Sequence, residues 1–484
     1  MTTTQPETPS RDEHSPPGGA APTGSAPSPR PHGFSALLRR LHFYAGVFIG
    51  PFILIAAVTG LMYALIPQLD TYIHRDQLTV ESVGEQRLPL AEQLSAARAA
   101  HPEGSVESIR PPGAPDETTW VTLAVEDVPP DYQRTVFVDP YSGEVRGALT
   151  TYGQWLPTRA WFDELHRNLH LDAVGRHYSE LAASWLGITA LAGLWLWLGH
   201  RRQTGSWRRI AVPDRTGKGR RRTRSWHAVI GVWILLGLLG LSVTGITWSR
   251  YGGASIDSVQ QAFDSKAPAV DTTLSAGAAP AVGSHAHHGG SPSGGADFLH
   301  GADTALHTAH GAGLREPMWM YPPANAEEGW LVAEKKRDWP NRHDAVSVDP
   351  GTGAITDRVD FADWPVLAKL TRWSIDTHMG ILFGVPNQIV LALIAIGLIV
   401  LIVHGYRMWW QRRPTRGSTW AAGRPPLRGA IRSLSPAAKV ALLVSAVAVG
   451  WFLPLFGLSL LAFVVVDAII ACVKRRRPDP VAAD

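Results

Sequence analysis

WFDELHRNLHLDAVGRHYSELAASWLGITALAGLWLWLGH, residues 161–200, is the stretch whose reading decides the fold. Two histidines, His166 and His170, stand one helical turn apart just before an apolar run. That run covers residues 178–199 and stops against Arg201 and Arg202. About 20 apolar residues cross the hydrocarbon core of a bilayer, so the run reads as a spanning helix. Imidazoles at the mouth of such a helix are costly unless they bind something.

Working outward, five more apolar runs follow the same pattern: residues 41–66, 227–248, 386–410, 437–452 and 455–473, the last two forming a hairpin around Pro454. The chain of 484 residues is too long for one soluble core. Its mean hydropathy near zero averages these runs with polar, Pro/Gly-rich segments. A single cysteine, Cys472, excludes intrachain disulfides and argues against a thiolate metal cage. Many of the 19 tryptophans stand at the ends of apolar runs, as an interfacial belt requires.

Residues 1–38 are rich in Pro, Ser, Thr and Gly and lack the apolar core of a signal peptide. They read as a disordered cytoplasmic tail before a retained helix at 39–66. Arginine and lysine crowd the loop at 200–226, the loop at 411–436 and the tail at 474–484, which places all three in the cytoplasm. Such runs between spans report topology, not nucleic-acid contact. Six spans then put both termini inside, and segments 67–177 and 249–377 face outward. The expected class is a polytopic α-helical membrane protein with two small α+β extracytoplasmic domains.

The first outer segment predicts a helix over residues 88–100, strands at 120–125 and 135–138, and a turn at Asp139-Pro-Tyr-Ser-Gly143. The second opens on a Gly/Ala/Ser/His-rich insert, 268–313, then predicts strands at 316–321 and 330–333 and a matching strand and turn at 346–353. The match belongs to a long internal repeat. His42, Gly46, Thr59 and Gly60 of the first span recur at identical intervals as His227, Gly231, Thr244 and Gly245 of the third. Asp139-Pro140 answers Asp349-Pro350, and Trp155 answers Trp364. The unit of helix, outer domain and helix is used twice, the second ending in the span at 378–410.

The repeat pairs His42 with His227 near the cytoplasmic face. On the outer side His170 lies 15 residues after Trp155 and His378 lies 14 after Trp364, whereas His166 lies 11 after Trp155. Counting therefore pairs His170 with His378 and leaves His166 as an alternative ligand or a supporting group. Facing histidines from different helices can sandwich a porphyrin and fill the two axial positions of its iron. The expectation is two haem b groups, one near each face.

These residues resemble the PepSY-associated transmembrane family of bacteria. The resemblance rests on Leu41-His42 with Thr59-Gly60, on the run from Leu165 to His170 with Glu180 to Trp185, and on Trp226-His227. It is completed by Thr377-His-Met-Gly380 and by Gly405-Tyr-Arg-Met-Trp-Trp410. It implies an inner-membrane location and, for some members, a two-haem ferric-siderophore reductase. A ferric chelate would then be the outer partner. There is no Gly-rich dinucleotide motif, so electrons would come from a cytoplasmic reductase or from quinol. Trp155, Trp161, Trp364 and Trp373 are candidates for the docking surface.

Two other functions compete. A non-enzymatic anchor whose PepSY modules bind or regulate an envelope peptidase has no need of paired histidines. Weak accessory metal binding by His285, His287, His288, His300, His307 and His310 is open to a flexible tract without fixed geometry. Ion transport is disfavoured, because the spans show neither buried carboxylates nor broken helices in the sequence.

Overall fold

The computed structural model describes residues 33–205, 210–274, 301–413, 426 and 430–476. The first helix, α1, runs Gly33–Ala64. A π turn occupies Ala45–Ile49 within it, and the Tyr406 hydroxyl donates to the Val47 carbonyl there at 2.9 Å. Such a turn loosens the helical ladder and exposes a carbonyl to an outside donor. Next come α2 (Leu90–Ala100) and the strands β1 (Ser105–Arg110), β2 (Thr119–Ala124), β3 (Gln133–Val138) and β4 (Val145–Thr151). A short helix, α3 (Pro157–Asn168), turns into the long α4 (Asp172–Gln203).

The second half repeats this order. Helices α5 (Gly219–Trp233) and α6 (Leu235–Thr247) meet at 61°. They are followed by α7 (Arg250–Ala262) and α8 (Ala302–Gly311). The strands β5 (Met318–Tyr321), β6 (Trp330–Glu334), β7 (Ala345–Val348) and β8 (Ile355–Val359) come next. Then α9 (Val366–His378) turns into α10 (Val385–Trp410). The chain closes with α11 (Pro436–Phe452) and α12 (Pro454–Arg476). By length and composition α1, α4, α10 and Pro454–Val473 can each cross a membrane, and the bent pair α5–α6 makes a fifth span if counted as one. The apolar α11 is shorter, at 17 residues.

The two polar segments do not fold as separate domains. Their strands form one eight-stranded antiparallel sheet in the order β4-β3-β2-β1-β5-β6-β7-β8, joined where Ile109 of β1 pairs with Met320 of β5. Each segment alone would leave its first strand as an open edge, and pairing the two removes both edges. Leu90, Leu94 and Ala97 of α2 and Ala302, Ala305 and Ala309 of α8 cover one face, packing on Ile109, Val121, Val136, Met318, Trp330 and Val346. Spacings of three and four put each trio on one helical stripe. The Asp139 carboxylate accepts from Tyr141 N at 2.8 Å, and Asp349 accepts from Gly351 N at 2.8 Å. Gly143 and Gly353 close these turns at φ +74° and +69°.

Several sequence expectations change. Strands β1, β4 and β8 carry too little apolar alternation to be read from sequence. Residues 301–311, expected within a low-complexity insert, hold α8, because its alanines are core residues despite their simple composition. Glu180 is a buried carboxylate within α4, 1% exposed. It accepts from Tyr251 N and Gly252 N, both at 3.0 Å, and so caps the positive end of α7. The α5–α6 bend is a broken helix that no proline announces. Residues 33–38, expected in the N-terminal tail, open α1, and residues 219–226, expected in the first basic loop, open α5. His285, His287, His288 and His300, residues 1–32, residues 206–209 and most of the second basic loop lie outside the described residues.

Candidate functional site

Four histidines meet in two pairs at opposite ends of the helical bundle. At the arginine-rich end His42 of α1 faces His227 of α5, with ring centroids 6.2 Å apart and planes at 89°. His42 Nδ1 lies 3.0 Å from the Thr189 carbonyl of α4, and His227 Nδ1 lies 2.9 Å from the Leu401 carbonyl of α10. A carbonyl only accepts, so both rings carry their proton on Nδ1. One turn beyond each carbonyl stands a glycine. A Cβ on Gly193 would sit 3.0 Å from His42 Cε1, and one on Gly405 would sit 3.8 Å from His227 Cε1. Gly193 in particular lets the imidazole lie against its neighbouring helix.

At the sheet end the pair is His166 of α3 and His378 of α9, with ring centroids 6.4 Å apart and planes at 49°. Thr59 Oγ1 lies 2.9 Å from His166 Nδ1 and donates its own proton to the Ile55 carbonyl at 2.9 Å. A hydroxyl has one proton, so towards the imidazole Thr59 accepts. Thr244 does the same, donating to Gly240 O at 2.8 Å and accepting from His378 Nδ1. With the threonine protons spent on the helix carbonyls, all four histidines engage a partner through Nδ1, which leaves Nε2 as the free ring nitrogen.

The pairing obtained by counting, His170 with His378, is not the one the structure makes. α3 stops at Asn168, and Leu169 and His170 take left-handed φ of +59° and +54°. His166 and His170 therefore do not share a helical face. His170 N bonds back to Asn168 Oδ1 at 2.8 Å, while its ring stacks on Trp161 at 4.8 Å and faces Glu164 at 3.3 Å. The turn between the two helices is tight. α4 crosses so close to the end of α3 that a Cβ on Gly175 would fall 1.6 Å from the Asn168 carbonyl oxygen. Counting fails because α9 has about one extra turn ahead of its histidine, which changes the interval but nearly preserves the face. The repeat extends to the threonines, since Thr59 and Thr244 stand at equal distance from His42 and His227, but only their contacts single out His166.

The other named residues scatter. Trp161 is exposed, whereas Trp364 stacks on His343 at 5.7 Å and Trp373 donates to Asn341 at 3.1 Å. Trp155 lies under two guanidiniums, those of Arg159 and Arg337. His310 Nε2 is held by Glu316 at 2.7 Å, and His307 stands exposed on α8. No group of three or more metal-ligating side chains occurs among the described residues.

Among curated proteins none matches the chain closely enough to count as a relative. Residues 39–412 match the family described as the PepSY-associated TM region, a stretch that begins just before the first of the paired histidines and ends just after α10. A multi-pass apolar bundle carrying this match over most of its length belongs to the PepSY-associated transmembrane family.

Proposed function

We propose that the chain is a two-haem transmembrane electron-transfer protein that reduces a ferric chelate, of the ferric-siderophore type, on the outer side of the bacterial cytoplasmic membrane. The observation that carries this reading is the matched geometry of the two histidine pairs. Two metal–imidazole bonds of roughly 2 Å and two ring radii of roughly 1.2 Å put the centroids of an axial pair roughly 6.4 Å apart. The separations of 6.2 and 6.4 Å fit that requirement at both ends.

A haem b held at each pair would supply a one-electron iron couple. The protein's part is to hold the rings and their protons. Thr189 O, Leu401 O, Thr59 Oγ1 and Thr244 Oγ1 each take an Nδ1–H, which sets the tautomer, fixes the ring plane and raises the basicity of Nε2. From His42 to Thr59 along α1 is roughly 25 Å at 1.5 Å per residue, so the pairs stand near opposite faces of a ~30 Å core. The sheet-end ligands are then His166 and His378. The full topology in this reading has six spans, with α5–α6 as one, α11–α12 as a hairpin, both termini in the cytoplasm, and two repeats related by an axis along the membrane normal. The edge-to-edge sheet and the matching Asp turns support that repeat. His42 and His227 would hold the haem nearer a cytoplasmic reductase or quinol donor, and His166 and His378 would hold the one nearer the outer acceptor.

An optical spectrum of the purified protein tests the reading. Sharp reduced b-type bands, with two haems per chain by pyridine haemochrome, are the expected result. A folded, colourless protein from haem-replete cells overturns it.

A further inference from the structure

We propose that Arg159 and Arg337 form the seat for the carboxylate arms of the porphyrin at the sheet end, an assignment that rests on the two-haem reading. A ladder between α1 and α3 places the first of them. Thr59 meets His166, and one turn further along α1 Tyr63 Oη accepts from Arg159 Nε at 3.1 Å. Arg159 precedes His166 by seven residues, so the two share a helical face, roughly 10 Å apart along the axis. The Arg159 guanidinium lies 3.9 Å from the Trp155 ring centroid. Its Nη2 is buried and has no hydrogen-bond partner among the described residues.

Arg337 reaches the same tryptophan from the other segment, 4.9 Å from the ring centroid. Its side chain is 8% exposed and pairs with the fully buried Asp376, and its Nη2 lies 3.1 Å from Sδ of Met379, the neighbour of His378. Asp376 also serves Arg372 at 3.0 Å, so one carboxylate answers two guanidiniums. Two more acids lie within electrostatic reach without bonding the open donor: Asp163, 3.9 Å from Arg167, also feels Arg159 and Arg337, and Asp70, 3.6 Å from His74, also feels Arg159, yet Arg159 Nη2 donates to neither. Burial, with Arg372 beside it, pushes the Arg337 pKa down to about 10 against the pull of Asp376. A buried guanidinium with an open donor is costly until an anion meets it. Planar carboxylates match its fork, and haem b brings two of them on an apolar body suited to Trp155 and Tyr63.

The test uses the full chain in a His42→Ala background, so that only the sheet-end site is read. The purified apoprotein is titrated with haem and with haem dimethyl ester, in the Arg159 form and as Arg159→Gln and Arg159→Lys. Haem affinity is expected to fall about tenfold in Arg159→Gln, the scale of one charged hydrogen bond, and to recover in part in Arg159→Lys. The ester is expected to bind both forms alike. An equal loss for haem and ester makes Arg159 a packing residue and overturns the proposal, as does no loss for either. Weaker binding of anionic ferric citrate with unchanged haem titrations gives the seat to the acceptor and also overturns it. If the parent chain binds neither porphyrin, the two-haem reading falls first, and this inference with it.

Discussion

The two histidine pairs have the same ring spacing and both engage their partners through Nδ1, but they are held by different means. At the arginine-rich end the Nδ1 protons go to backbone carbonyls of spanning helices, Thr189 O and Leu401 O. At the sheet end they go to side-chain hydroxyls, Thr59 and Thr244, and the histidines ride on short helices outside the long spans. A backbone acceptor cannot be removed by substitution, whereas a hydroxyl can. One end is thus fixed by helix packing. The other is set by side chains and is open to adjustment by sequence.

The largest expected effect separates the ends outright. On the two-haem reading His42→Ala or His227→Ala removes one haem and leaves the other, and His166→Ala or His378→Ala does the converse. His170→Ala keeps both, because His170 packs on Trp161 instead of facing His378. Haem counting and the low-temperature reduced spectrum of the purified variants decide this. A His170→Ala protein with one haem, beside a His166→Ala protein with two, would reverse the assignment.

A smaller effect tests the hydroxyls. Thr59→Val and Thr244→Val keep the shape, remove the acceptor and leave an imidazole N–H without its partner. Haem affinity at the sheet end is expected to drop roughly 10- to 100-fold, the range seen when the group behind a metal-binding histidine is lost. The arginine-end haem stays unchanged. Equal losses at both ends would show that the threonines support the bundle and not one histidine pair.

This contrast also marks how far the sequence could be read. Four of the six spanning runs, a fifth if the bent pair α5–α6 counts as one, were legible, as were the equivalent Asp turns and the facing of His42 and His227, because their intervals are the same in both halves. The partner of His378 was not, because the interval from Trp364 contains an extra helical turn and because the end of α3 at Asn168, which leaves His170 in a left-handed turn, does not show in the spacing. The shared sheet was hidden for a related reason. Edge pairing of β1 with β5 is decided between segments that are individually complete hairpin meanders, and β1 (SVESIR) has little apolar alternation to announce it. Arg159 and Arg337 carry no motif at all, and only the burial of their donors singles them out.

The smallest effect concerns pH and again distinguishes the ends. His343, 8% exposed beneath Phe361 and Trp364, has its pKa pushed from 6.5 down to about 3 by burial, with Arg372, Arg337 and Lys335 adding to it. The folded form therefore binds fewer protons than the unfolded form between those values, and stability must fall as pH falls through 6.5. The loss is about 0.7 kcal/mol between pH 7 and 6, steepening towards about 1.4 kcal/mol per unit nearer pH 4. Arg372 lies on α9 with His378, so acid should loosen the sheet end first, while the arginine-end haem keeps its spectrum. Denaturant titrations at pH 7, 6 and 5 check this, with His343→Phe keeping a ring in the stack and removing the proton site. The variant is expected to show a flatter pH dependence. An unchanged slope would place the acid sensitivity in other groups and leave His343 a packing residue only.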